Sequence, residues 1–162
     1  MDPLEWLCTR ESNFSSLTAE EIKAISSFFL IWSYFEEQKL ECSAGRKEFL
    51  KLGDLLASQN KFSEIFLDEM VNYFQERYVS EGSLNYRVEY LHLEQSRNPQ
   101  EVFDMLLNAD CDAKTKFIGC LFVVYRYRNN LFHGPKWRSF LKEQKANMEM
   151  ASNFLISIMN NT

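Results

Sequence analysis

From Thr18 onward, apolar side chains return at three- and four-residue steps. Ile22, Ile25, Phe28, Phe29, Trp32 and Phe35 form the first series, and that spacing lays them along one face of a helix. Thr18-Ala19-Glu20-Glu21 fits a capping box in front of it, so the pattern predicts a helix from Thr18 to about Leu40. Ile31 and Tyr34 widen the stripe, as expected of a helix buried on much of its surface. Only 5 Gly and 3 Pro in 162 residues leave few turns for a many-stranded β fold. The expectation is an all-α bundle, and the length suits a single domain over residues 1–162. An apolar fraction of 46% with 14 Phe supplies its core.

Taken in order, residues 1–17 read as irregular with an apolar anchor at Leu4, Trp6 and Leu7. A second helix is predicted over about Arg46 to Ser58, and a third over about Ser63 to Tyr78 with Ser63 as a possible cap. Ser80-Glu81-Gly82-Ser83 marks a turn. Tyr86, Val88, Tyr90 and His92 then alternate like a strand, but a lone strand has no partner, so a loop or isolated helical turn is expected. Asn98-Pro99-Gln100-Glu101 reads as a helix start with Asn98 as N-cap, leading to a short helix that buries Val102, Phe103, Leu106 and Leu107. Asp110 or Asp112 opens a central helix through the apolar run Phe117 to Val124, ending near Phe132 where Gly134 and Pro135 stop it. A last helix is expected over about Trp137 to Met159. The sum is five or six helices.

The central helix runs into Tyr125-Arg126-Tyr127-Arg128-Asn129-Asn130-Leu131-Phe132-His133-Gly134-Pro135-Lys136-Trp137, which holds one of the chain's two histidines. A buried helix that ends in polar groups is a common way to hold a site rigidly. Asn129 and His133 are four residues apart and share a face. Arg128 lies five residues before His133, about 140° around an ideal helix. To reach one atom, the pair needs a distorted last turn, the full length of the arginine, or a second subunit.

Arg128-Asn129-Asn130-Leu131-Phe132-His133 reads R-N-x-x-x-H and closely resembles the signature of the HEPN superfamily. The resemblance implies a HEPN-like helical bundle and a metal-independent endoribonuclease of the toxin or anti-phage defence type. It also implies a two-fold homodimer whose motif helices face a shared cleft. Within that reading His133 is the acid–base group, Arg128 the cation on the phosphate, and Asn129 the residue that orients them. Arg126, Lys136 and Arg138 are candidate RNA contacts. Glu36 and Tyr125 are candidate supporting residues, against the plainer roles of surface glutamate and core ring. Tyr127 has the same two options, base stacking or core. Some toxin members of the family carry a tyrosine two positions after the histidine, which a partner enzyme adenylylates. Here that position is Pro135, so this mode of silencing is not supported. An antitoxin or other regulatory protein remains an implied partner.

The net charge of −5 is unevenly spread. From Lys114 to Lys145 there are eight basic residues (Lys114, Lys116, Arg126, Arg128, Lys136, Arg138, Lys142 and Lys145) against Glu143 alone, a net +7; the remainder therefore carries −12. Such asymmetry gives an acidic protein one face for phosphate. Cys8, Cys42, Cys111 and Cys120 are scattered and lack a C-x-x-C spacing, so they read as reduced thiols of a cytoplasmic protein, with no metal site expected. No cofactor motif is present: there is no P-loop and no G-x-G-x-x-G turn. There is no secretory leader pattern, and no apolar run approaches the roughly 18–20 residues of a membrane span. The alternative expectation is a catalytically silent HEPN-like module that binds RNA, nucleotide or a protein partner; a third is an all-α adaptor in which the motif is only a helix end.

Overall fold

The computed structural model describes residues 2–133 and 144–162; the side chains of Asn13, Phe132 and His133 lie outside the described part. The described chain is all-α. Helices α1 (Pro3–Arg10) and α2 (Ser12–Ser15) precede α3 (Ala19–Leu40), α4 (Arg46–Ser58) and α5 (Leu67–Tyr78). A two-residue hairpin, β1 (Val79–Ser80) and β2 (Ser83–Leu84), leads into 3-10 turns at Tyr86–Leu91 and Leu93–Ser96. Helices α6 (Gln100–Leu107), α7 (Ala113–His133) and α8 (Lys145–Asn161) complete the order. Six of these, α3 to α8, form the bundle.

Helix α7 is its axis. Phe117, Ile118, Cys120, Leu121, Phe122, Val123 and Val124 are each at most 4% exposed, so the run lacks a helical stripe because every side of it is covered. It packs against α4, α5 and α6, while α3 lies along α8. Gly119 lets α6 come close: a Cβ there would sit 2.5 Å from the Glu101 carbonyl oxygen and 2.9 Å from the Met105 Cβ. The start of α3 forms as its sequence demands. The Glu21 N–H donates to Thr18 Oγ1 at 3.1 Å, and Thr18 N–H donates back to Glu21 Oε2 at 2.8 Å.

Several boundaries differ from the sequence reading. Residues 3–10 and 12–15 are helical, with Glu11 extended between them; α1 forms because Asp2 accepts from the Leu4 and Glu5 amides and Pro3 occupies the first turn. The anchor of this segment is Phe14, at 6% exposure, while Leu4 and Trp6 are 47% and 46% exposed. Ser63 caps nothing: α5 begins four residues later, and the turn before it is tied to α8 by Phe66 N–H donating to Ser157 Oγ at 3.0 Å. Asn98 is left-handed, with φ 45°, and Pro99 holds the cap position of α6 instead. Leu107 is 49% exposed, and Met105 fills the core in its place. Asp112, not Asp110, opens α7 by accepting from Thr115 N–H at 2.9 Å. Residue 82 is a glycine with φ 73° beside Glu81 with φ 52°, the backbone a two-residue hairpin turn demands. The segment after it is 3-10 helix, in line with the isolated helical turn expected there instead of a strand. The expected stop at Gly134 and Pro135 lies outside the described residues. Helix α8 runs from Lys145 with Gln144 as its cap residue, and the start expected at Trp137 lies outside the described residues.

Candidate functional site

The last two turns of α7 present their polar side chains in two directions. On one side stands Arg128. Its Nη1 donates to Asn129 Oδ1 at 2.9 Å, and its Nη2 lies 3.8 Å from Glu36 Oε2. Glu36 is itself held: Oε2 accepts from Trp32 Nε1 at 3.0 Å and Oε1 from the Ala44 amide at 3.3 Å. The glutamate picked out on the first long helix therefore does face the motif arginine. Both side chains are partly shielded, at 26% and 20% exposure, so the carboxylate orients the guanidinium without neutralising it in a dry core. Tyr125, one turn earlier, is half-buried, with its ring 5.9 Å from Trp32 and edge-on to Phe49 at 5.8 Å. It supports the wall that Trp32 and Glu36 stand on.

On the other side Arg126 turns inward, a correction to its expected RNA contact. It is 3% exposed. Its Nε donates to the Leu91 carbonyl at 2.8 Å, and Nη2 donates to Gln95 Oε1 at 2.7 Å and to Asn130 Oδ1 at 3.2 Å. Burial pulls its pKa down from the usual arginine range. The guanidinium is spent on fixing the 3-10 segment to α7, which leaves no surface for phosphate. Asn130 completes the staple by donating through Nδ2 to the Tyr90 carbonyl at 3.0 Å. The sequence reading gave Asn130 no role; its four-residue spacing from Arg126 was the available signal.

Tyr127 belongs to the core. It is 5% exposed, and its hydroxyl meets that of Tyr78 at 2.7 Å. Burial pushes the Tyr127 phenol well up and that of Tyr78 up to about 12. His92 pairs through Nδ1 with Glu94 Oε1 at 3.0 Å and stands apart from the motif in its contacts.

Helix α7 stays α-helical through His133, so no distortion swings positions 128 and 133 together up to that residue. The His133 side chain and the candidate RNA contacts Lys136 and Arg138 lie outside the described residues. Among the described residues, no three His, Cys, Asp or Glu side chains converge on a point where a metal would sit, and no helix is long and apolar enough to cross a membrane. The arrangement brings together a cation, an amide and an orienting carboxylate at the end of a rigid helix. Comparison with protein-family models, curated proteins and solved structures finds no match.

Proposed function

We propose that the chain is a metal-independent endoribonuclease, a cytoplasmic toxin or defence effector of HEPN type, with its active site at a homodimer interface. The observation that carries this reading is the R-N-x-x-x-H spacing at the end of a buried helix, with Arg128 bonded to Asn129 and faced by Glu36. An RNA 2′-OH gives its proton to a base and attacks the adjacent phosphorus. The bond to the 5′-oxygen breaks, and that oxygen takes a proton from an acid. The products are a 2′,3′-cyclic phosphate and a free 5′-OH. His133 is the acid–base residue. Arg128 stabilises charge on the phosphate oxygens, and Asn129 and Glu36 hold it in place. The dimer is supported by Leu30 and Tyr34, which are 73% and 59% exposed on α3, the helix that also carries Glu36. Two exposed apolar residues four apart on one helix suit a partner surface.

The test is incubation of purified protein with total RNA in EDTA. His133→Ala should slow cleavage by about 10²–10⁴-fold, the usual worth of general acid–base catalysis. Arg128→Ala should lose about 10²–10³-fold with the protein still folded. An all-2′-deoxy substrate should stay intact, since it lacks the nucleophile. Cleavage of that substrate would overturn the mechanism. RNA left intact by the wild type would put the silent binding module in its place.

A further inference from the structure

The staple made by Arg126 and Asn130 holds a second feature beside the motif helix. Tyr86 and Tyr90 lie four apart on the 3-10 segment, and their rings meet edge to face, 6.0 Å between centroids at 88°. Tyr86 is 63% exposed and Tyr90 43%. The Arg87 guanidinium lies 5.6 Å from the Tyr86 ring centre. The position of this group is fixed relative to α7, because Asn130 holds the Tyr90 carbonyl and Arg126 the next one along. Asn130 is three residues from His133, less than one helical turn.

We infer that Tyr86, braced by Tyr90 and flanked by Arg87, is a stacking platform for one base of an unpaired RNA strand that passes the end of α7. The inference rests on the RNA reading of the same helix end, and adds that the strand is single. A tyrosine offers a large flat surface with few rotors to immobilise, and the Arg87 guanidinium over one face of the ring braces it and leaves the other face for a base. Every base has a π-face, so such a platform holds a strand without regard to sequence; in a duplex those faces are already stacked on each other. Within the five-residue segment Arg87 and Glu89 balance in charge. Its contribution therefore comes from the rings and not from counterion release, which separates it from phosphate contacts.

The probe is a short fluorescent 2′-O-methyl oligoadenylate, which lacks the nucleophile and survives an active nuclease, followed by anisotropy with the full chain. Tyr86→Ala should weaken binding by about tenfold, while Tyr86→Phe keeps the wild-type affinity. The slope of log affinity against log salt should not change in Tyr86→Ala. A blunt duplex of matching length should be indifferent to the substitution. Wild-type affinity in Tyr86→Ala overturns the platform, as does a loss matched by a reduced salt slope. Unchanged RNA affinity with a shifted mass in light scattering assigns the rings to a protein contact instead. A wild type that ignores the probe removes both the platform and the RNA reading. Failure of the ribonuclease reading alone would show as uncut RNA in EDTA, with the anisotropy differences intact.

Discussion

Arg126 and Arg128 are two positions apart on α7, so their side chains leave the helix about 200° apart. That rotation sends one guanidinium under the 3-10 segment and the other toward Glu36 on α3. Arg126→Ala would leave the Leu91 carbonyl and the Gln95 and Asn130 side chains without their shared donor. The expected loss is about 2–4 kcal/mol of unfolding free energy in a urea titration; wild-type stability would mean that the staple does not hold. The phenol pair Tyr78 and Tyr127 sets a different limit. Tyr78 titrates at about 12 in the folded chain and near 10 unfolded. A raised acid pKa leaves stability whole below the unfolded value and removes it as pH climbs toward the folded one. The Tyr78 contribution should therefore be whole up to about pH 10 and shrink by roughly 2–3 kcal/mol by about pH 12, on top of the losses from the buried Cys120 thiol and Tyr127 phenol, which burial also pushes up. Unfolding titrations across that range check it, and Tyr78→Phe should make the fall smaller by that amount.

The contact between α6 and α7 depends on the missing side chain at Gly119. Gly119→Ala would gain about 1 kcal/mol of helix propensity, but the new Cβ meets backbone at 2.5 Å. The helices must separate, and a net loss of about 1–3 kcal/mol is expected from thermal unfolding. This element also shows what a sequence can carry. Helices α3 and α4 were legible to within a residue or two, because a capping box and apolar steps are local signals. The start of α1 had an equally local signal in Asp2-Pro3, but its apolar pattern is too short to stand out. Asn98-Pro99 carried the same signal and misplaced the cap by one, since the left-handed backbone at Arg97 and Asn98 is imposed by the 3-10 turn before it. At the site, Glu36 could be picked out from the face it occupies on α3. The burial of Arg126 could not, because it depends on a segment 35 residues away whose strand-like alternation hid a helical four-residue pairing.

At the scale of the whole molecule, the chain joins an acidic body to a segment of net +7. Charge reversal at both Lys136 and Arg138 should weaken RNA binding for all sequences alike and lower the salt slope by about two to four units. Unchanged affinity would reduce that segment to a solvated face. Light scattering at high micromolar concentration should give the mass of two chains; a monomer would remove the shared cleft.

The N-terminal pair has an energetic standing of its own. Helix α1 buries none of its residues, and the pair rests over a groove of about 170 Å³ lined by Ile22, Ile25, Phe29 and Leu131, with Phe14 as its one buried apolar side chain. Most of the apolar surface that holds the bundle lies elsewhere, so α1 and α2 form a separate opening unit whose release costs much less than global unfolding. Backbone amides of residues 4–15 should exchange with deuterium well before those of Phe117 to Val124, and at a rate insensitive to low urea. Each such opening bares Leu131, two residues from His133, and so makes the surroundings of the motif rise and fall with a local equilibrium while the core stays shut.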